Sequence, residues 1–229
     1  RAAAADNTLS TLLYYANQSS KLPITGKIDA KTQFFSAENG ATGVHVKVNP
    51  SEIILGEKKW RVNPANILYR KNELTVDMLN FTHGDQHIII NGKATPQPSD
   101  SIVADLKDVD VAYILNLVNF HSVDFAGKAS GKAVMKSIFQ TPEAYANLDV
   151  KEFNFENGPL GTLHANAAYD NQEGQINIDA TAEDGAEHLT VINGYVSPKR
   201  NYIDLGIEAH NTSLKFMENF CGSFMNNVE

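Results

Sequence analysis

Three side chains that could ligate a metal ion lie close together near the middle of the chain: His83, Asp85 and His87. Imidazole nitrogens and a carboxylate are common zinc ligands, but a site also needs a further ligand and outer partners that nothing in the sequence predicts. A matching stretch about one hundred residues later, residues 184–188, keeps the turn glycine and one histidine but does not keep the same set of ligands. The pattern therefore favours a polar hairpin turn with histidines at strand edges, and no metal site.

No other group of residues matches a known catalytic or phosphate-binding signature. The sequence GKASGK at residues 127–132 has the wrong glycine spacing for a phosphate loop, and the residues after it are typical of a strand and not of a helix. Asp77, Asp105 and Asp204 fall in predicted strands, and nothing pairs an acid with a base in a different environment. A Ser/His/Asp or Cys/His nucleophile signature is also missing. We expect a protein that is not an enzyme and needs no cofactor.

The composition is that of a folded globular chain, with 42% hydrophobic and 20% charged residues. A net charge of −8 without a Lys/Arg cluster lacks the basic footprint of nucleic-acid binding. The single cysteine, Cys221, cannot form an internal disulfide and fits a packed thiol on a predicted helix. Cysteine content therefore does not indicate the cellular compartment of the protein. No apolar run approaches the ~18 residues of a membrane-spanning helix. Because the chain starts at Arg1, we expect its natural N-terminus and any anchor to lie outside this sequence.

The elements that position these residues are mostly strands. Apolar and polar residues alternate with a period of two at Val44–Asn49, Phe153–Glu156 and Ile176–Ala180, which predicts strands with one dry and one wet side. Clusters of Asn, Asp and Gly, such as residues 70–73 and 170–174, occur at hairpin spacing. Trp60, the only tryptophan, is expected to anchor the interior of the sheet. The pattern predicts an antiparallel meander.

Short helical segments recur with the same offset as the turns. Apolar residues at helical spacing start near Leu9, Val111 and Leu214, and the segment from about 109 to 119 is the clearest of them. Helices this short are unstable alone, so each must pack on the sheet. We therefore predict one repeat unit over residues 1–110, a second over 111–213 and the start of a third over 214–229.

The order of these motifs resembles that of a known family. AYILNLVNF is followed by VDFAGKASGKA, FNFENGPLGTLHANAAYD, HLTVINGYVSPKRNYIDLGIEA and SLKFMENF. Over its full length the chain is similar to internal segments of the AsmA-like superfamily, and most closely to the translocation and assembly module TamB family. The resemblance implies a long curved antiparallel sheet, an open trough of the β-taco type, in a periplasmic protein anchored in the inner membrane of a Gram-negative cell. It also implies a role in outer-membrane biogenesis and an Omp85-class assembly partner that binds regions outside this chain.

The alternating strands predict where an apolar inner face would lie. Its candidate residues are Val44, Val46, Val48, Leu74, Val76, Phe153, Phe155, Ile176, Ile178, Leu205 and Ile207. A phospholipid in water exposes about 30 methylenes, and at ~0.8 kcal/mol each the cost is on the order of 25 kcal/mol. An apolar track would remove most of this cost, so the acyl chains of phospholipids are the expected ligand.

Two alternatives stay open at this point. Alternation alone fits equally well a closed β-sandwich, in which a second sheet covers the dry side and the protein is a scaffold or adhesion module without a ligand. Within the family resemblance, the cargo could be phospholipid or an unfolded outer-membrane protein strand that adds to a sheet edge.

Overall fold

The structure, a computed structural model, describes residues 24–36, 42–117, 124–156, 158–185 and 187–211. In this part of the chain it contains fifteen strands and one helix. The strands are β1 Ile24–Lys27, β2 Ala30–Ser36, β3 Thr42–Val48, β4 Ser51–Leu55, β5 Lys58–Val62, β6 Ala65–Arg70, β7 Glu73–His83, β8 Gln86–Ala94, β9 Ser101–Asp110, β10 Phe125–Lys136, β11 Glu143–Phe155, β12 Gly158–Asp170, β13 Gln175–Glu183, β14 Leu189–Ser197 and β15 Tyr202–His210. The helix, α1, spans Val111–Leu117.

All fifteen strands belong to one antiparallel sheet. From β7 to β15 each strand pairs with the next one along the chain, so this part is a simple meander. On its other side β7 pairs with β5 near one end and with β6 near the other, and two short arms continue from there, β5-β4-β1 and β6-β3-β2. The predicted fold class, a mainly β chain built on a long antiparallel sheet, is confirmed.

The chain divides into two compact units. The first contains the described residues up to Asp105 together with Val134–Glu143, and the second contains Leu106–Ala133 and the described residues from Ala144 onward. The predicted helices near Leu9 and Leu214 lie outside the described residues. The predicted repeat boundaries at residues 110 and 213 stay predictions.

In the first unit, the two arms arise because neighbouring strands of the sheet are interrupted side by side. The chain breaks the ladder at Asn49-Pro50 between β3 and β4 and at Asn63-Pro64 between β5 and β6, because proline has no N–H to donate. The backbone N–H of Asn63 donates instead to the carbonyl oxygen of Asn80 on β7 at 2.9 Å. On β7 itself an extra residue forms a bulge between Val76 and Leu79. Such irregularities bend a strand and change its twist.

Each interruption shifts the alternation by one residue and keeps the apolar side chains on the same face. Val48 pairs with Ala65 before the break, and Ser51 pairs with Val62 after it, so even-numbered apolar residues on β3 are followed by odd-numbered ones on β4. We call this side of the sheet the dry face and the opposite side the wet face. Every buried hydrophobic residue of the first unit lies on the dry face, namely Val48, Ile53, Leu55, Trp60, Val62, Ala65, Val76 and Ala94.

The second unit is built in the same way on longer strands. Register places Val150, Leu163 and Ala182 side by side, and next to them lie Ala165 and Ala180. A bulge with a positive φ at Glu152 separates Val150 from Phe153 without moving Phe153 off this face. These residues, with Ala129, Phe155, Leu160 and Ile192, form the buried cluster of the second unit. We use dry face and wet face for this unit in the same sense.

The helix α1 lies on the dry side of the second unit. Val111 and Ile114, three residues apart and so on one side of the helix, pack against the buried cluster. Tyr113 is 6% exposed. The helix therefore gains its stability from the sheet, as its length of seven residues requires.

Candidate functional site

The predicted inner-face residues of the first unit lie next to one another on its dry face. Val44 is opposite Tyr69, and Tyr69 is opposite Leu74 on β7. One step along the strands, Val46 is opposite Ile67, which is opposite Val76. Val48 completes the column on β3. Since directly opposed residues of antiparallel strands point to the same side, the register brings all five candidates together.

The candidates of the second unit also share its dry face. Ile178 is opposite Gly194, which in turn is opposite Leu205. The neighbouring row runs from Ala180 through Ile192 to Ile207, and Ile176 is opposite Val196. Phe153 and Phe155 both stack on Phe125, at ring-centroid distances of 6.0 and 5.3 Å. Register across three strands therefore joins residues that the sequence grouped only one strand at a time.

Sequence reasoning missed much of the dry face. In the first unit the missing members include Ile53, Leu55 and Val62, and in the second Leu163 and Ile192. A signal for the first group was present, because Asn-Pro at residues 49–50 and 63–64 marks the places where alternation changes from even to odd positions. For the second group, the bulge on β11 has no comparable proline, and alanine-rich β12 shows weak contrast between its two sides.

The dry face of the first unit is not uniformly covered. Trp60 and Val62, beside the row of interruptions, are fully buried. Farther along the same face, Tyr69 is 51% exposed and Phe34 is 67% exposed. Phe34 and Tyr69 both flank Val44 in one row of the β2-β3-β6 arm, so burial of this face decreases along that arm away from the interruptions. Large exposed apolar surface of this kind is typical of binding grooves.

Most charged side chains of the first unit's sheet lie on the wet face. Lys59 pairs with Glu52 at 2.6 Å, and Glu73 accepts from Arg70 at 2.5 Å and contacts Lys93 at 3.4 Å. The hydrogen bond from Arg70 lowers the pKa of Glu73 below its usual value, and the same bond raises the pKa of Arg70. The carboxylate is thus held ionised on the side away from the apolar residues.

One lysine departs from this separation of charge. Lys58 is directly opposite Leu55 at the hairpin end of β5, so the register places it on the dry side of the strand. It stands at the edge of the apolar surface and not in its middle, because it is the first residue of β5. A lysine at such an edge can keep its ammonium group in water while its methylenes lie along apolar neighbours.

The wet face of the second unit carries neutral hydrogen bonds as well as charge. The side-chain amide of Asn147 donates to Asn166 at 2.7 Å, and the ring Nδ1 of His164 lies 2.6 Å from the carboxylate of Asp149. Both pairs join β11 to β12. The two sides of this unit therefore differ sharply in chemistry, with hydrogen-bonding groups on one and aliphatic and aromatic groups on the other.

The two histidines of the candidate metal cluster point to opposite sides of the sheet. His87 is opposite Thr82 on the wet face and contacts Asp105 at 3.1 Å. His83, one residue after Thr82, is on the dry side and its ring lies 5.7 Å from that of Trp60. Throughout residues 24–36, 42–117, 124–156, 158–185 and 187–211, no group of three or more metal-ligating side chains occurs.

The glycine-lysine stretch at residues 127–132 lies inside β10, which continues to Lys136, so the prediction that a strand and not a helix follows the stretch is confirmed. Lys128 is not available as a phosphate-binding lysine of a loop, because its ammonium group is paired with the carboxylate of Asp110.

Comparison with protein-family models, with curated proteins and with solved structures finds no match for this chain. Among the described residues, no helix is both long and apolar enough to cross a bilayer.

Proposed function

We propose that this chain is a periplasmic segment of a TamB/AsmA-like protein of a Gram-negative envelope, and that its dry faces hold the acyl chains of phospholipids during outer-membrane biogenesis. The same surface, with the sheet edges, would assist the translocation and assembly of outer-membrane proteins. An Omp85-class partner and the inner-membrane anchor would involve regions outside this chain. The proposal assigns no catalytic step and no cofactor.

One observation carries the proposal: in each unit, the predicted inner-face residues are gathered on one side of the sheet, and that side is only partly buried. Val46 and Ile178 are half-buried, and larger side chains on the dry face of the first unit, such as Phe34 and Tyr69, are mostly or half exposed. A structural core would bury such residues fully, whereas a binding surface leaves them accessible until the ligand arrives.

The alternation of the strands suits the energetic demand of holding a lipid. Shielding two acyl chains offsets up to about 25 kcal/mol, at ~0.8 kcal/mol per methylene. No single pocket is needed, because successive strands lie ~4.8 Å apart and repeat the same apolar face across the sheet. The closed-sandwich alternative needs a second sheet, and the described strands belong to one sheet.

The test uses neighbouring residues that point to opposite sides of one strand. In the first unit, Val46→Asp adds a charge to the dry face, and His45→Asp adds the same charge to the wet face of β3. In the second unit, Ile178→Asp and Asn177→Asp are the matching pair on β13. Each protein is purified from a Gram-negative host, and its bound phospholipid is quantified by mass spectrometry after extraction.

We expect phospholipid to copurify with the wild type and to decrease several-fold in both dry-face variants, while the wet-face variants retain it. A photoreactive residue at position 46 should form lipid adducts, and one at position 47 should not. Equal losses from both sides of the strand, or no bound lipid in the wild type, would remove the basis of the proposal.

A further inference from the structure

Two edge strands of the sheet, β15 in the second unit and β2 in the first, have one side without a described partner. β15 pairs with β14 and β2 pairs with β3, and neither pairs with a further described strand. Such an edge presents unpaired backbone N–H and C=O groups, to which a strand of another chain can add. What each edge can accept depends on these backbone groups and on the side chains that flank them.

On β15, the dry-face residues carry the backbone groups that point outward. Gly194 and Leu205 approach each other closely, since a side-chain carbon added at Gly194 would lie 2.9 Å from the Cα of Leu205. Such a close approach is typical of an antiparallel pair that exchanges no hydrogen bonds, so the N–H and C=O of Leu205 point away from β14. Because this orientation repeats at every second residue, Ile203 and Ile207 also present their backbone groups to the open edge.

On β2, the dry-face residues again carry the outward-pointing backbone groups. The N–H of Asn49 donates to the carbonyl oxygen of Asp29 at 2.9 Å, which makes these two residues a hydrogen-bonded pair. Hydrogen-bonded and non-bonded pairs alternate along antiparallel strands, so the next pair, Ala30 with Val48, exchanges no hydrogen bonds. The backbone groups of Ala30 therefore point to the open edge. The register gives this orientation to every second residue of β2, namely Ala30, Thr32 and Phe34.

The wet-face side chains at the two edges have opposite charge. On β15 they include Asp204 and Glu208, which are exposed and lie opposite neutral residues of β14. On β2 they include Lys31, which is exposed and lies directly opposite Lys47 of β3. Like charges that oppose each other across two strands are destabilising. The edge of β2 therefore favours an acidic neighbour, and the edge of β15 favours a basic one.

We propose that β15 of one copy of this chain pairs antiparallel with β2 of a second copy, edge to edge. With Leu205 of one copy opposite Thr32 of the other, the outward-pointing N–H and C=O groups of the two strands meet as hydrogen-bonded pairs. The contact joins two different edges and is heterologous, so each copy keeps one edge for a further copy. The inference does not depend on what the dry face binds.

The same register matches the side chains of the two strands. On the dry side, Phe34 lies opposite Ile203 of the other copy, and its ring, 67% exposed in the single chain, gains an apolar neighbour. On the wet side, Lys31 lies opposite Gly206, with Asp204 and Glu208 as diagonal neighbours within reach of a long side chain. A shift by one residue would instead set apolar side chains opposite charged ones.

The experiment measures self-association of the chain by sedimentation velocity over a wide range of concentrations. Lys31→Glu makes the edge of β2 acidic, and the double variant Asp204→Lys/Glu208→Lys makes the edge of β15 basic. Lys107→Glu makes the same change as the first variant at an exposed position of β9, which is paired on both sides, and serves as the control. Circular dichroism checks that each variant keeps its strand content.

A second pair of variants tests the backbone contact without changing charge. Leu205→Pro removes an outward-pointing N–H, and proline is tolerated where the N–H of an edge strand faces solvent. Leu205→Ala shortens the same side chain and keeps the N–H. We expect the proline variant to associate at least several-fold more weakly than the alanine variant.

We expect the wild type to form oligomers as its concentration rises, with masses that are multiples of 25.1 kDa. Each charge-reversed variant alone should associate at least several-fold more weakly, because its two edges then carry the same charge. An equimolar mixture of the two variants should recover association, since the acidic β15 of one meets the basic β2 of the other. Lys107→Glu should match the wild type.

Monomers at every concentration would overturn the inference. Slow amide exchange at Ile203 and Ile207 in such monomers would show that another segment of the same chain covers β15, and fast exchange would show that the edge stays open. Association that the charge variants and Leu205→Pro leave unchanged would place the contact on another surface, such as the dry face. A mixture that associates no better than its two components would exclude the pairing of β15 with β2.

Discussion

At the scale of single residues, Trp60 anchors the dry face of the first unit. It is fully buried, as the sequence predicts for the only tryptophan. Ile53 is directly opposite on β4 and is also buried, and His83 lies beside the ring at 5.7 Å. The adjoining residue on β4, Ile54, points to the wet face and is 42% exposed. Apolar side chains of similar hydrophobicity therefore contribute very differently to the free energy of unfolding, depending on the face of the sheet to which they point.

Truncation of Trp60 should be strongly destabilising. We expect Trp60→Ala to lower the free energy of unfolding by about 3–5 kcal/mol, because it removes buried apolar surface and leaves a cavity. Ile54→Ala, one strand away on the wet face, should change it by less than ~1 kcal/mol. Urea unfolding followed by circular dichroism measures both without relying on tryptophan fluorescence. Similar values for the two variants would contradict the assignment of the faces.

At the scale of elements, the interruptions of the strands decide which residues share a face. Alternation within β3 alone is enough to group Val44, Val46 and Val48. The same rule continued past Pro50 selects the wrong side of β4, because the extra residue moves the apolar positions from even to odd numbers. Local patterns therefore predict the dry face strand by strand and lose it at each interruption.

The row of Glu52, Arg61 and Thr82 on the wet face was harder to predict from the sequence. Glu52 and Arg61 come together through one hairpin, but Thr82 lies opposite Arg61 only because β7 pairs first with β6 and then with β5. A pairing of strands so far apart in sequence depends on tertiary packing, which local propensity does not encode. The sequence indicated His83 as a possible ligand, but it did not predict the face of the sheet on which the side chain lies.

The close pairing of β14 and β15 depends on a glycine. Gly194 has a φ of 147°, and a side-chain carbon there would lie 2.0 Å from the carbonyl oxygen of Asp204 and 2.9 Å from the Cα of Leu205. The backbone of β15 would have to move away to make room. Gly206, on β15 opposite Asn193, has no positive φ, and its nearest atom in that direction is 3.6 Å away.

Two glycine substitutions should consequently have opposite outcomes. Gly194→Ala is expected to destabilise the chain by at least about 2 kcal/mol, since strained backbone and crowding each cost about 1–3 kcal/mol. Gly206→Ala should be within about 0.5 kcal/mol of the wild type or slightly stabilising. Thermal unfolding by circular dichroism compares the two. Tolerance of alanine at position 194 would mean that β14 and β15 pair less closely than the register indicates.

At the scale of the whole molecule, the negative charge of the chain opposes its approach to an anionic lipid membrane. The net charge is −8, and the calculated isoelectric point is about 5.3. Long-range repulsion from an anionic bilayer therefore acts against the approach of the chain. Salt weakens this repulsion, since the Debye length falls from about 30 Å at 0.01 M salt to about 8 Å at 0.15 M.

Salt should accordingly increase the uptake of lipid from anionic membranes. We expect the delipidated chain to extract labelled phospholipid from phosphatidylglycerol vesicles several-fold faster at 0.15 M than at 0.01 M salt, because the repulsion is screened. Extraction from phosphatidylcholine vesicles should change little, since these carry no net charge, and they serve as the control. Fluorescence dequenching of the labelled lipid reports the rate, and vesicle sedimentation at 0.01 M salt should leave the chain in the supernatant. Cosedimentation with anionic vesicles at low salt would instead reveal a basic membrane-binding surface, and the acidic balance of the chain would then not govern its approach to lipid.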